Sequence, residues 1–323
     1  MKPLSVSLVI PVRDEEATVE RLLASIRAQT RPADEVVFVD GGSEDKTVAL
    51  LREASLTQTP IQVIEAGPAS PGKGRNIGIS AATHEWVALT DAGIKLDSRW
   101  LEELLKVVQQ DPQVDVVYGN YEPLIVSFFE RNAALVYVAP KQERAGQRMR
   151  GPSIASCLLR RSVWQTVGFE DLRAAEDLIF IEQVEQRGFK IGWAPAATVW
   201  WQLRPSLLST FRKFALYSRH NVLAGRQRYW HYGIARQYVL ALIVMILALA
   251  SGIWWFLLAI PAGLFLRIFK NVWRRRETLS FLELLNPLRW IHLLIITLAI
   301  DLATFVGWIQ AYFHTAEPIR SAR

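Results

Sequence analysis

The chain has 323 residues, 51% of them apolar, and carries 37 Lys and Arg against 31 Asp and Glu, a formal net charge of +6. That length holds a soluble domain of about 200 residues and something more. The single cysteine, Cys157, excludes an intrachain disulfide and fits a reducing compartment, while the positive balance favours an anionic partner such as a nucleotide or a membrane surface.

The N-terminal stretch MKPLSVSLVIPVRDEE is not expected to act as a secretory signal, because its apolar run is short and charges follow at once. Residues 5–10 (SVSLVI), closed by Pro11, predict a buried strand. Val19, Leu22, Leu23 and Ile26 recur at helical spacing within 15–28. EVVFVD (35–40) predicts a strand, GGSED a turn, and Asp45 opens a helix. Then follow a strand at 61–66, a helix from Gly72 to Ala82, a strand at 85–91 (EWVALTD), a helix at 98–108 and a strand at 115–120. Strands alternating with helices predict an α/β fold, Rossmann-like, with a mainly parallel sheet and helices on both faces. In such sheets ligands lie beyond the carboxyl ends of the strands. Pro11–Glu15, Asp40–Ser43, Ala66–Asn76 and Asp91–Gly93 are thereby expected in one neighbourhood.

Asp40 and Asp91 both end strands, so both are expected to face that crevice, where a carboxylate can accept from a ribose or base or bind a cation. PGKGRNIG (71–78) supplies a turn, two cations and a helix N-terminus, a combination that suits phosphate. Lys73 and Arg75 would neutralise a diphosphate, Arg being the better fork. A solvated Gly-Lys turn is the plain alternative, and the spacing is not that of a Walker loop. Glu176-Asp177 opens a helix within DLRAAEDLIFIEQVEQRG (171–188). Spacing alone favours an acidic N-cap for the pair; a general base is the other reading.

Between Glu185 and Glu277 there is no acid, while Lys and Arg continue. Residues 238–266 carry no charge and 290–313 carry only Asp301; each run is long enough to cross a bilayer. Residues 206–236 mix aromatics with basic residues and read as an amphipathic interfacial segment. The basic loop RIFKNVWRRR (267–276) is expected on the cytoplasmic side, which makes 238–266 a hairpin turning near Ser251-Gly252. Residues 277–288 are expected along the interface before the last span. The expected organisation is a cytoplasmic domain over 1–205, the interfacial segment 206–236 and a multi-pass helical membrane region over 237–323. Basic residues cluster beside the apolar spans, which argues against a nucleic-acid partner.

The order and spacing of SVSLVIPVRDEE, EVVFVDGGSEDKT, GKGRNIG, WVALTDAG and ASCLLRRSVWQTVGFEDLRAAEDLIF resemble the family 2 inverting glycosyltransferases of GT-A fold, over residues 5–225. The resemblance implies that Pro11, Arg13 and Glu15 line the base and ribose of a nucleoside diphosphate sugar, and that Asp40 contacts the base. It implies that Arg75 and Asn76 hold the donor, and that Asp91 is the first carboxylate of a D-x-D motif on a divalent cation, Mg²⁺ or Mn²⁺. Asp177, paired with Glu176, becomes the catalytic base. Three places depart from the family pattern: Gly41 follows Asp40, the D-x-D reads DAG with Gly93 last, and Leu216–His220 keeps only the Arg of a Q-x-x-R-W motif. Arg219 and His220 remain candidate diphosphate or acceptor contacts, or part of a basic helix near anionic lipid. The implied reaction moves a sugar to a hydroxyl of a lipid, lipid-linked or polysaccharide acceptor at the membrane. The alternatives are transfer to a polyprenyl phosphate and a non-catalytic nucleotide-sugar-binding scaffold.

Overall fold

A computed structural model describes residues 4–56, 60–144, 146–275 and 279–314. It divides into two compact units: residues up to Leu124 with Lys141–Gln202, and Ile125–Pro140 with residues from Leu203 on.

In the first unit the elements run β1 (Val6–Val12), α1 (Val19–Arg27), β2 (Glu35–Asp40), α2 (Thr47–Ser55), β3 (Ile61–Glu65), α3 (Pro71–Ala81), β4 (Trp86–Leu89), β5 (Ile94–Leu96), α4 (Trp100–Gln110) and β6 (Val116–Leu124). The chain then leaves for α5 (Phe128–Tyr137) and returns through β7 (Gln142–Arg144), β8 (Gln147–Met149), β9 (Cys157–Arg160), α6 (Arg161–Val167), α7 (Glu176–Gln186) and β10 (Ile191–Gln202). Eight strands form one sheet in the order β3-β2-β1-β4-β9-β6-β10-β5. The β1/β2, β1/β4, β2/β3 and β10/β6 pairs are parallel, so the sheet is mainly parallel. β9 enters antiparallel between β4 and β6, and β5 closes the far edge antiparallel to β10.

Alternation along each strand divides the core between the two faces of the sheet. Leu8, Ile10 and Phe38 pack with Leu22, Leu23 and Ile26 of α1 and Trp100, Leu104 and Val108 of α4. Val9, Val37 and Val39 pack on the other face with Ile79 of α3 and Phe180 and Val184 of α7. Burying both faces is what makes these strands near-continuous apolar runs. The carboxyl ends of β1, β2 and β4 then lie side by side, and the candidate residues follow them.

The second unit consists of α5, α8 (Leu207–Leu223), α9 (His231–Ser251), α10 (Ala259–Trp273), α11 (Phe281–Leu285) and α12 (Pro287–His314). Three helical stretches, His231–Ser251, Trp254–Trp273 and Pro287–Phe313, are long and apolar enough to cross a membrane. The uncharged run 238–266 is therefore not one helix: α9 stops at Gly252, whose φ of +70° is a left-handed cap that suits glycine. Exposed Trp254 and Trp255 follow that turn, as interfacial aromatics do. Residues 276–278, where the basic loop ends and the expected interfacial segment begins, lie outside the described residues. α5 is an excursion from the first unit's sequence: Leu135 packs with Ile268, Val272 and Leu293, and Ala133 with Ile296 and Ile300. α8 lies against α12 at Gly307, where an added Cβ would stand 2.2 Å from the Ala215 carbonyl oxygen.

Candidate active site

The loop after β1 is fixed by its own backbone. Asp14 holds a left-handed φ of +53°, donates its N–H to Ser43 Oγ at 2.9 Å and accepts from the Glu44 N–H at 2.9 Å, which joins this loop to the one after β2. The Glu15 carbonyl accepts from Thr18 and Val19 and so starts α1. Its N–H donates to Thr47 Oγ1 at 2.8 Å, and Thr18 Oγ1 donates to its carboxylate. That carboxylate reaches the loop after β4: a Cβ added at Gly93 would lie 3.8 Å from each Glu15 oxygen and, among the described residues, within 4 Å of no other heavy atom outside its chain neighbours.

Arg75 is the centre of the site. It sits in the first turns of α3, a helix begun by Ser70, whose Oγ accepts from the Lys73 N–H at 3.1 Å and donates to Asp171 Oδ1 at 2.5 Å, with Pro71 next. The guanidinium is 3% exposed. Nη2 donates to Asp91 Oδ1 at 2.6 Å, and Nη1 donates to Glu176 Oε1 at 2.8 Å. Its carbon lies 5.4 Å from the centre of the Phe169 ring, which stacks on Phe180 at 4.1 Å. One cation therefore ties the end of β4 to the start of α7.

The segment leading to α7 is pinned by Asn76. Its Oδ1 accepts from Trp164 Nε1 at 2.8 Å and from the Phe169 N–H at 3.0 Å, and its Nδ2 donates to the Phe169 carbonyl at 2.7 Å. Gly72 passes so close that an added Cβ would stand 1.9 Å from the Glu170 carbonyl oxygen. The N-cap position of α7 is Ala175, held at a φ of +77° with no side-chain cap. Among the described residues only Asp14 and Ala175 are non-glycine residues with positive φ, and each directly precedes a carboxylate of this site. Such strain collects at functional sites. Glu176 and Asp177 occupy the first turn of α7 rather than its cap. Burial pushes both carboxyls above the usual range while Arg75 pulls the other way; the two acids also repel each other at Glu176, and Asp91 adds repulsion at Asp177. Burial acts against the Arg75 charge too, but Asp91 and Glu176 outweigh it and hold the guanidinium ionised.

The expected residues divide by position. Arg75 joins Asp91 to Glu176, Asp177 follows Glu176, and the Glu15 carboxylate lies beside Gly93. Asp40, 3% exposed, closes the turn that Gly41 and Gly42 make: its oxygens accept from the Gly42 and Ser43 N–H groups and from Ser43 Oγ at 2.5 Å. Asn76 bonds to Trp164 and Phe169 as described. Pro11 underlies Gly74 of α3, where an added Cβ would be 3.1 Å from the proline ring. Arg13 and Lys73 are exposed, Arg13 lying 3.4 Å from Asp14. Arg219 and His220 belong to α8 of the second unit. Ser70, Phe169 and Ala175 carry no motif of their own and emerge only from the geometry.

A divalent ion bound with a diphosphate takes hard oxygen ligands. Among the described residues no three His, Cys, Asp or Glu side chains gather to hold an ion alone. The site does offer carboxylate oxygen in excess, since Asp91, Glu176 and Asp177 act on the single Arg75 guanidinium. A donor diphosphate would add more negative charge. These residues fit a cation held partly by protein carboxylate and partly by substrate phosphate.

Residues 7–165 match the family described as Glycosyl transferase family 2. A glycosyltransferase of Haloferax volcanii, AglE, is 31% identical over 120 residues, covering 36% of this chain and 39% of that protein. The O-antigen chain rhamnosyltransferase RfbN of Salmonella typhimurium is 26% identical over 209 residues, covering 61% of this chain and 66% of its own length. Among solved structures, the mannosyltransferase PcManGT of Pyrobaculum calidifontis, in complex with GDP-Man and Mn²⁺, superposes with a TM-score of 0.58 at 19% identity over 93% of this chain and 86% of its own. S. aureus TarS 1–349 in complex with UDP-GlcNAc gives 0.51 at 19% identity, covering 67% of this chain and 65% of that one. The first unit has the GT-A fold, and residues 7–165 are similar to glycosyl transferase family 2.

Proposed function

We propose that this chain transfers a sugar from a nucleoside diphosphate sugar to a hydroxyl of a lipid or lipid-linked acceptor, with inversion, at the cytoplasmic face of a membrane. The observation that carries this reading is the Arg75 bridge, which joins Asp91 on the donor side to Glu176, the neighbour of Asp177. Asp177 takes the proton of the acceptor hydroxyl as the acceptor oxygen bonds to the anomeric carbon. The anomeric bond to the diphosphate breaks on the opposite face, and the electron pair leaves with the nucleoside diphosphate. A carboxyl raised above its usual range suits this work, because a base is most effective when its pKa approaches the working pH. Arg75 offsets the charge that gathers on the leaving diphosphate, and exposed Lys73 adds a second positive charge on the same helix. A divalent cation, Mg²⁺ or Mn²⁺, would be held by Asp91 and supplies further charge neutralisation when bound. The GDP-Man, Mn²⁺ and UDP-GlcNAc complexes of the structural neighbours support such a donor.

A hydroxyl acceptor is favoured over a polyprenyl phosphate because a phosphate is already ionised and leaves the base without a task. The O-antigen relative and the three apolar helices support an envelope glycan made at a membrane. The test is Asp177→Asn. Donor binding should persist while transfer falls by about 10²–10⁴. An unchanged rate with a lipid-phosphate product would favour the polyprenyl phosphate reading. Donor binding without turnover in the unaltered chain would make it a scaffold.

A further inference from the structure

We propose that Glu15 supplies the second protein carboxylate of the cation site that Asp91 begins, filling the role that Gly93 cannot. This rests on the reading of the first unit as a nucleoside diphosphate sugar site. Gly93 stands two residues after Asp91, where the D-x-D spacing calls for a carboxylate. Among the described residues, and apart from its chain neighbours, the atoms within 4 Å of a Cβ built there are the two carboxylate oxygens of Glu15, each at 3.8 Å. A carboxylate is present at that place; it arrives from the loop after β1 instead of the loop after β4.

Glu15 is held for the task. Thr18 Oγ1 donates to one carboxylate oxygen, Thr47 Oγ1 receives the main-chain N–H at 2.8 Å, and the carbonyl opens α1. Farther along that helix, Arg21 Nη2 donates to the Gly93 carbonyl at 3.3 Å, tying the two loops to one rigid element. The charge around Asp91 points the same way. Its guanidinium partner is already shared with Glu176, so Arg75 alone cannot neutralise an incoming diphosphate. Arg75 Nε and Glu176 Oε2, on side chains 4% and 7% exposed, have no hydrogen-bond partner among the described residues, so the cluster is not closed on itself. A hard cation with one ligand from Asp91, one from Glu15 and the rest from phosphate and water completes it with about six oxygens. Because the two carboxylates come from different strands, no contiguous motif announces them.

The test is Mn²⁺ uptake by the full-length chain in detergent, read from the loss of the free-ion EPR signal, with Mn²⁺ alone and with UDP, GDP or dTDP. Unaltered protein should take up Mn²⁺ with one of these nucleotides. Glu15→Gln should weaken that uptake by at least about tenfold, since even outer-shell partners of a metal change affinity by that much. Gly93 has ordinary contact distance around a new Cβ and no positive φ, so the double variant Glu15→Gln/Gly93→Asp should recover most of the affinity. Recovery also excludes misfolding as the cause of the single variant's loss. Uptake by Glu15→Gln within about twofold of the unaltered chain would overturn the inference and leave the donor site standing. Absence of uptake by the unaltered chain with any nucleotide would overturn the donor-site reading, and this inference with it.

Discussion

Arg267 forks onto Asp301 across two apolar helices, its two terminal nitrogens each 2.7 Å from a different carboxylate oxygen. Asp301 is fully buried, and Tyr238 Oη donates to it at 3.0 Å, so α9, α10 and α12 meet at one carboxylate. A paired charge within apolar helices is costly to uncouple. Arg267→Met should lower unfolding stability in detergent by about 3–5 kcal/mol, because it leaves Asp301 buried without its counter-ion. Arg267→Met/Asp301→Leu should regain most of that loss. Equal losses in the single and double variants would mean the pair does not hold the three helices together.

The pair also marks what the sequence can and cannot reveal. Asp301 stands out as the lone acid in an apolar run, and Arg267 as the first residue of a basic loop, but their meeting depends on how α10 and α12 pack. The parallel strands are legible because burial on both faces makes them continuous apolar runs. β9 is not, since CLLR is four residues long and runs straight into α6. Nothing in FFERNAALVY assigns it to either unit; its contacts place α5 in the second. Within the site, Arg75, Asp91, Glu176 and Asp177 are recognisable from motif order. The hydrogen bonds of Asp40 and Asn76 are not legible there, because they are made to residues outside their motifs, or to a turn whose shape the sequence leaves open.

The acids at the start of α7 give rate and stability opposite pH dependences. Burial, the largest effect, raises Asp177 and Glu176 above their unfolded values, so the folded state binds more protons in the window just above the usual carboxylate range. Stability must then fall as pH rises through that window, since it falls wherever the unfolded state binds fewer protons. The rate must rise over the same window as Asp177 becomes a base, with apparent values that belong to the coupled pair. Asp177→Asn should abolish the rising limb of kcat/KM and leave the protein more stable at neutral pH. A stability profile that climbs with pH across that range would contradict the assignment.

Two helical glycines of the second unit should respond in opposite directions to the same change. A Cβ at Gly307 would stand 2.2 Å from the Ala215 carbonyl oxygen and 2.6 Å from Ser218 Cβ, where α8 crosses α12. Gly307→Ala should therefore cost about 1–3 kcal/mol through overpacking. Gly263 of α10 has nothing within 4 Å of a new Cβ. Gly263→Ala should be neutral or stabilising by up to about 1 kcal/mol, from the better helix propensity and the smaller entropy of the unfolded chain. Thermal unfolding of both variants under one condition decides the matter; a stable Gly307→Ala would mean that α8 and α12 stand farther apart.

Arg75 separates support of the fold from support of the reaction. Arg75→Met leaves Glu176 buried beside Asp177 without its counter-ion, and should lower stability by about 3–5 kcal/mol at neutral pH. The loss should shrink in acid, where Glu176 takes up a proton and no longer needs a counter-ion. Arg75→Met/Glu176→Leu removes both charges and should restore stability. It should not restore transfer, because the leaving diphosphate still lacks its guanidinium, and the loss of such a group costs about 10²–10³ in kcat. Arg75→Lys keeps the charge but has one ammonium where the site uses a fork, so it should retain more stability than Arg75→Met and still lose transfer. If the stable double variant also transferred sugar at the unaltered rate, Arg75 would be a structural residue alone, and the bridge from Asp91 to Glu176 would hold the loops without serving the donor.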